Sequence, residues 1–239
     1  MRTDVLGIGF DDLTMEEAVN KGLEFAEKGS SIVVTPNPEI VYISRKDRQL
    51  KDILNSADMV LADGVGITYG AKILGKPLKG RVPGIDFAAG LMAKMADKGL
   101  NLFLFGSKPG VADKAADNLK KDYPKLNICG TLNGYFENSE PIIEKINASK
   151  ADVVFVCLGA PKQEKWMAEH RKELNAHLLV GLGGSLDVFA GTVQRAPERW
   201  RKLKLEWLYR LIKQPSRIGR MARLPMFVFA VVGQRLKGK

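Results

Sequence analysis

The sequence is poor in the residue types that hold metals and disulfides, since its 239 residues include two histidines and two cysteines. His170 and His177 lie apart from Cys129 and Cys157, and none has metal-ligand spacing, so no metal site is predicted. Both cysteines lie in apolar, strand-like stretches, which disfavours a disulfide framework and is typical of a reducing compartment. With so few histidines and no nucleophile-elbow serine, the sequence also disfavours Ser–His hydrolysis.

Long apolar runs are missing as well. No window approaches the roughly 18 consecutive apolar residues that a spanning helix needs, and no signal-peptide stretch follows Met1. An apolar fraction of 45% with 27% charged residues is ordinary for a packed protein. We therefore expect a soluble or peripheral chain that forms one large domain, or one domain with a small appendage.

The excess of positive charge is confined to one end of the chain. Of the 37 Lys and Arg, 13 lie in residues 195–239, where Glu198 and Glu206 oppose them and leave a net charge of +11. The other 194 residues carry 24 basic and 25 acidic groups. We predict a nearly neutral domain over residues 1–194 and a basic appendage over residues 195–239. So strong an asymmetry indicates a polyanionic partner, either a membrane surface or a nucleic acid.

Short apolar runs alternate with amphipathic helical patterns as far as about residue 190. Several runs, such as VVFVCLG and LFLFG, are unbroken, which is typical of parallel strands covered on both faces. Strands are predicted at residues 5–10, 31–35, 59–62, 101–105, 127–131, 152–158 and 177–181. Helices are predicted at 18–27, after a capping box of Thr14 and Glu17, at 111–122 and at 161–173. The alternation predicts an α/β fold: a mostly parallel, Rossmann-like sheet with flanking helices and ligands at the carboxyl ends of its strands.

The last 45 residues have a different pattern. Trp200, Leu203, Trp207, Leu208 and Leu211 recur at helical spacing among basic residues, and a proline at 215 is expected to end that helix. The apolar run MFVFAVV follows a second proline. A basic, Trp-bearing amphipathic helix with such a neighbour favours a membrane interface. The alternative is a helix that packs on the domain while its charges are solvated.

Polar residues after the predicted strands form the candidate ligand site. Thr35 and Asn37 lie in the loop TPNPE, Asp63 begins DGVG, and Arg81 lies in GRVPGID. A carboxylate here serves as a general base or binds ribose hydroxyls, and an arginine suits a phosphate. The plainer alternatives are that Asn37 and Asp63 cap helices and that Arg81 is solvated. The residues alone leave both readings open.

Two further strand-to-helix loops, 105–110 and 159–164, suit an anion or a nucleotide because each leads into a helix N-terminus. Neither contains the GxGxxG fingerprint, and segment 181–186 has leucine where the third glycine belongs. A nicotinamide-dependent oxidoreductase is therefore disfavoured. No P-loop motif is present either.

Taken together, these segments resemble the WecG/TagA/CpsF glycosyltransferases, glycosyltransferase family 26. The matching segments follow one another in order along nearly the whole chain: TPNPE (35–39), ADGVGI (62–67), RVPGID (81–86), FGSKPGVADKAA (105–116), GAPKQE (159–164), GLGGSLDVFAG (181–191), RAPERW (195–200) and LEWLYRLIKQPSRIGR (205–220). Each segment is weakly specific by itself, whereas the ordered set is highly specific.

The resemblance implies an inverting, metal-independent transferase with the GT-E form of the α/β fold and no cofactor. Family members typically move N-acetylmannosamine (ManNAc) from UDP to C4 of N-acetylglucosamine (GlcNAc) in a diphosphoundecaprenol lipid, a step toward wall teichoic acid. The resemblance implies that Asp63 is the catalytic base and that the substrate-binding residues are Thr35, Asn37, Arg81, Gln163, Arg210, Arg217 and Arg220. The last three are implied to engage the lipid diphosphate at the membrane.

The implied partners are a UDP-sugar donor, a polyprenyl-diphosphate-linked GlcNAc acceptor and an anionic membrane, with the protein peripheral on the cytoplasmic face of the cell membrane. Donors carrying N-acetylmannosaminuronic acid or glucose remain alternatives on the same fold. A homo-oligomer also remains open, because a subunit interface would bury the same apolar stripe. A nucleic-acid-binding module is the alternative from another class. It leaves the polar loops and the apolar C-terminal residues unexplained, so no nucleic-acid partner is expected.

Overall fold

The computed structural model describes residues 2–215, 218–221 and 223–237. These residues contain eight strands: β1 (Arg2–Val5), β2 (Ile8–Asp11), β3 (Ser31–Val34), β4 (Met59–Val60), β5 (Asn101–Gly106), β6 (Asn127–Leu132), β7 (Val153–Cys157) and β8 (Leu178–Gly181). The last six form one parallel sheet in the order β4-β3-β8-β7-β5-β6. This confirms the predicted α/β fold.

Helices alternate with these strands and continue beyond the last one. Their bounds are α1 (Met15–Glu27), α2 (Pro38–Ser44), α3 (Arg48–Ser56), α4 (Val65–Ile73), α5 (Gly84–Lys98), α6 (Val111–Asp122), α7 (Glu140–Ala148), α8 (Lys162–His170), α9 (Ser185–Phe189), α10 (Glu198–Lys202), α11 (Glu206–Lys213), α12 (Ile218–Met221) and α13 (Arg223–Lys237). The predicted capping box is present, since Thr14 Oγ1 accepts from Glu17 N and Glu17 Oε2 accepts from Thr14 N.

The predicted single strand at residues 5–10 is wrong. The segment contains a turn at Leu6 and Gly7 between β1 and β2, which pair antiparallel outside the main sheet. Leu6 and Gly7 both have positive φ, at 57° and 84°, and two successive residues of this kind match the twist of a tight hairpin. Gly7 indicated a turn in the sequence, but the apolar Leu6 beside it made residues 5–10 resemble one continuous strand.

The sheet separates two apolar layers. Alternate residues of β5 enter opposite layers: Phe103 and Phe105 pack with α8, whereas Leu102 and Leu104 pack with α5 and α6. Both faces are covered, which explains the unbroken apolar runs of the central strands. The carboxyl ends of the strands are left as the edge at which polar loops meet.

The amphipathic stripe of the C-terminal segment is divided between two helices. Lys204, between α10 and α11, has φ of 62° and interrupts the helical path. Trp200 and Trp207 therefore belong to different helices, and the Trp200 ring packs against Tyr209 at a centroid distance of 5.6 Å. The predicted helix end near residue 215 is confirmed, because α11 stops at Lys213.

Helix α13 packs across α2 and α4. Phe227 and Val231 are buried in the core, where both lie against Gly70 of α4. Gln234 adds polar contacts, accepting from Leu6 N at 2.9 Å and donating to Asp4 at 2.7 Å. The opposite face exposes five apolar side chains: Met226, Val228, Phe229, Val232 and Leu236. The run MFVFAVV therefore has one buried and one exposed face.

None of the helices within the described residues is both long enough and apolar enough to cross a membrane.

Candidate functional site

A cavity of about 1130 Å³ opens at the carboxyl ends of β3, β4, β7 and β8. The loops after these strands line one side, and α11 and the start of α13 line the other. The cavity brings together six predicted residues, namely Thr35, Asn37, Asp63, Arg81, Gln163 and Arg210. Arg217 and the side chain of Arg220 lie outside the described residues. Loops scattered over the sequence thus meet at one site.

Asp63 follows β4 and faces the cavity, at a turn where Gly64 has φ of 101°. Burial raises the pKa of Asp63 to about 6, with smaller raising contributions from Glu206 and Asp86. The guanidinium groups of Arg81 and Arg210 act in the opposite direction. At pH 7 this carboxylate is mostly ionised yet basic enough to accept a proton, as a general base requires.

Three arginines converge on one carboxylate beside Asp63. Glu206, in the first turn of α11, accepts from Arg81 Nη2 at 3.1 Å and from Arg210 Nη2 at 3.0 Å. Arg195 Nε lies 3.8 Å from Glu206, and the same guanidinium donates to both oxygens of Asp86 at 2.6 and 2.7 Å. These ion pairs hold the C-terminal segment against the first turn of α5 and the loop before it, and they complete the cavity wall.

Thr35 and Asn37 each have a structural role as well as a place in the cavity. Thr35 Oγ1 donates to the carbonyl of Gly181 at 2.8 Å and so ties β3 to β8. Asn37 Oδ1 accepts from Ile40 N at 3.0 Å, which confirms the plainer alternative that Asn37 caps α2. Its amide nitrogen has no hydrogen-bond partner among the residues that the structure describes, so it is free to donate to a ligand.

Gln163 lines the cavity, but both ends of its side chain are used within the protein. Its Oε1 accepts from Gly183 N at 2.9 Å, and its Nε2 donates to Glu164 Oε1 at 2.9 Å. Gln163 is buried, and burial raises the pKa of Glu164 beside it. Gln163 therefore holds the glycine loop 181–184 in place, a role that the sequence alone did not indicate.

A second cleft of about 710 Å³ adjoins the cavity and shares Lys108, Cys157, Leu158 and Asp187 with it. Its outer wall carries Tyr135, which is 69% exposed. Ser107 Oγ donates to Asp187 Oδ2 at 3.0 Å, which fixes the carboxylate between the two spaces. An exposed ring, a fixed carboxylate and Lys108 form a surface that suits a flat, hydrogen-bonding ring attached to phosphates.

Sequence reasoning missed Glu206, Arg195 and Asp86 as members of the site. Asp86 lies in the segment RVPGID, and Glu206 is one of two acidic residues in the basic segment. The sequence therefore gave a weak indication that each belongs to the site. No group of three or more His, Cys, Asp or Glu side chains with metal-binding geometry occurs among the residues described.

Comparisons with known proteins agree with the motif set. The model of the glycosyl transferase WecG/TagA/CpsF family matches residues 3–239. A protein of Bacillus spizizenii named N-acetylglucosaminyldiphosphoundecaprenol N-acetyl-beta-D-mannosaminyltransferase is 38% identical over 202 residues, covering 84% of this chain and 79% of the relative. A protein of the same name in Staphylococcus aureus is 34% identical over 242 residues, covering 100% of this chain and 95% of its own.

Proposed function

Because this chain belongs to the WecG/TagA/CpsF glycosyltransferase family, we propose that it transfers ManNAc from UDP-ManNAc to O4 of GlcNAc in GlcNAc-diphosphoundecaprenol. The observation that carries the proposal is Asp63, a carboxylate of raised pKa that faces a large cavity beside paired arginines. The names of the relatives in Bacillus spizizenii and Staphylococcus aureus support this choice of sugar and lipid.

In the proposed reaction, Asp63 takes the proton from the O4 hydroxyl of GlcNAc as that oxygen attacks the anomeric carbon of ManNAc. The bond between that carbon and the β-phosphate oxygen breaks, and UDP leaves with the electron pair. A single base and direct displacement invert the anomeric configuration. Arg81, Arg195 and Arg210 supply positive charge near the reacting groups, which supports transfer without a metal ion.

We place the nucleoside of the donor in the smaller cleft and its sugar in the main cavity. The exposed ring of Tyr135 suits stacking with a base, and Asp187 lies where the two spaces join. Lys108, which lines both spaces, would then lie near the diphosphate. Asn37 and Asp63 lie on the wall of the main cavity, where sugar hydroxyls need partners.

The exposed side chains of the C-terminal segment support binding to the cytoplasmic face of the cell membrane. Apolar residues of α11 and α13, among them Trp207, Ile212 and Phe229, are exposed beside the cations of that segment. Apolar side chains flanked by Lys and Arg match the boundary between acyl chains and anionic headgroups. We prefer a membrane to a nucleic acid because nucleic-acid surfaces do not require such exposed aliphatic residues.

Donor turnover by the full-length protein tests the proposal. The acceptor is a short-chain analogue of GlcNAc-diphosphoundecaprenol, and UDP-ManNAc, UDP-ManNAcA, UDP-GlcNAc and UDP-glucose are supplied separately with EDTA present. We expect transfer from UDP-ManNAc only, at a rate that EDTA leaves unchanged. Transfer from another donor would retain the enzyme class and overturn the assigned sugar. Absence of transfer from all four would contradict the proposed function.

The pH dependence of kcat/KM follows from the ionisation of Asp63. Because the base must be ionised and its pKa is about 6, activity is expected to rise with pH and to level off above about pH 7. A pH–rate profile from pH 4.5 to 8 measures the midpoint. A midpoint near 4, the range of an ordinary aspartate, would contradict the assignment of Asp63 as the base.

A further inference from the structure

Glu206 is the only acidic residue of the C-terminal segment that lies on the cavity wall among the described residues. Its side chain is 12% exposed. It pairs with Arg81, which lies in the loop before α5, and with Arg210, which lies one turn later in α11. Arg195, which is bound to Asp86, approaches the same carboxylate. A single carboxylate therefore determines the position of two guanidinium groups next to Asp63.

The cluster is also balanced in charge. Arg81, Arg195 and Arg210 face Asp63, Asp86 and Glu206, and the electrostatic interactions of Asp63 involve all five of the other groups. Removing the Glu206 charge would leave three arginines with two carboxylates, so the cluster would carry a net positive charge. Their charge would then act more strongly on Asp63 and on any anion in the cavity.

We propose that Glu206 is a positioning residue, which fixes Arg81 and Arg210 beside the general base and thereby couples docking of the C-terminal segment to the ionisation of that base. This inference rests on the proposed function, because it assigns Asp63 as the base. A purely structural anchor would hold α11 in place but would leave the titration of Asp63 unchanged.

The test compares Glu206→Gln with Glu198→Gln. Both remove one negative charge from the basic segment, and both residues pair with a cation four residues later, but Glu198 is 67% exposed and is not among the residues that line the cavity. For Glu206→Gln we expect kcat to fall at least about tenfold, because the arginines lose their alignment. We also expect the midpoint of the acidic limb to move down by at least about half a pH unit. Glu198→Gln should change neither.

A second variant distinguishes loss of the Glu206 charge from a general disturbance of the fold. Glu206→Asp keeps the charge but shortens the side chain, so we expect a reduced kcat with the midpoint still near that of the unmodified protein. If Glu206→Gln lowers kcat and leaves the midpoint in place, Glu206 is only an anchor and the proposal is overturned. Unchanged kcat and midpoint would overturn it as well.

A measurement without turnover separates this inference from the proposed function. The stabilising effect of Asp63→Asn, measured by urea unfolding between pH 4 and 7, reports the titration of Asp63 in the folded protein. We expect this effect to level off at lower pH, and at a smaller value, in the Glu206→Gln background than in the Glu206 background. Identical curves in both backgrounds would overturn the coupling, whichever donor the enzyme uses.

Discussion

Replacing Asp63 with asparagine is expected to reduce sugar transfer by about 10²- to 10⁴-fold, the usual contribution of a general base. Asparagine has nearly the same shape, but its amide does not accept the proton of the attacking hydroxyl. Binding of UDP should persist, because the arginines and the smaller cleft are unchanged. The measurement is kcat with UDP-ManNAc and the lipid acceptor. Turnover close to that of the unmodified protein would remove Asp63 from the mechanism.

The same substitution is expected to stabilise the protein at pH 7 by about 1–3 kcal/mol. Burial raises the pKa of Asp63 from 3.8 to about 6, so keeping the carboxylate ionised in the folded protein has a free-energy cost above that pH. The difference should shrink as pH falls from about 6 toward 4 and vanish below about 4, where the carboxyl is protonated in both the folded and unfolded states. Urea unfolding measures it.

Asp117→Asn is a matched control, because Asp117 is exposed on α6 and is not among the residues that line the cavity. It should change neither activity nor stability by a measurable amount. Loss of stability at pH 7 in Asp63→Asn would contradict the expected cost of the buried charge.

Replacing Phe227 with alanine is expected to lower the free energy of unfolding by about 3–5 kcal/mol. Phe227 is 1% exposed, and its ring fills the space beside Gly70 that α13 covers. Its loss weakens the docking of α13, the helix whose Arg223 donates to Glu39 on the cavity wall at 2.9 Å. We therefore expect reduced transfer together with faster tryptic cleavage of the C-terminal segment.

Phe229 provides the contrast within the same helix. It is 76% exposed, so Phe229→Ala should change the free energy of unfolding by less than about 0.5 kcal/mol. It should nevertheless weaken flotation with anionic phosphatidylglycerol vesicles, because its ring belongs to the apolar face proposed to enter the membrane. Equal destabilisation by the two substitutions would contradict the division of α13 into a buried and an exposed face.

The sheet and the location of the site were predictable because both follow from short-range patterns. Unbroken apolar runs indicate strands covered on both faces, and parallel strands carry their loops to the same edge. Thr35 and Asn37 follow β3 and Asp63 follows β4, and that rule alone predicts that they meet. The hairpin was missed because the apolar Leu6, which has positive φ, obscured the turn that Gly7 beside it indicates.

Long-range pairing was not predictable in the same way. The partners Arg81 and Glu206 are 125 residues apart, and nothing near either residue identifies the other. Helix α13 presents a related difficulty, because a run that is apolar on every side does not indicate which side is buried. Only packing on α2 and α4 places Phe227 and Val231 inside while Phe229 remains outside.

The most direct test of the central claim is the configuration of the product. Full-length protein is incubated with UDP-ManNAc and a short-chain GlcNAc-diphospholipid, and the disaccharide lipid is examined by proton and carbon NMR. Direct displacement assisted by Asp63 predicts one new β linkage to O4 of GlcNAc, with inversion at the anomeric carbon of the α-linked donor. An α-linked product would require a different mechanism and would contradict the role assigned to Asp63.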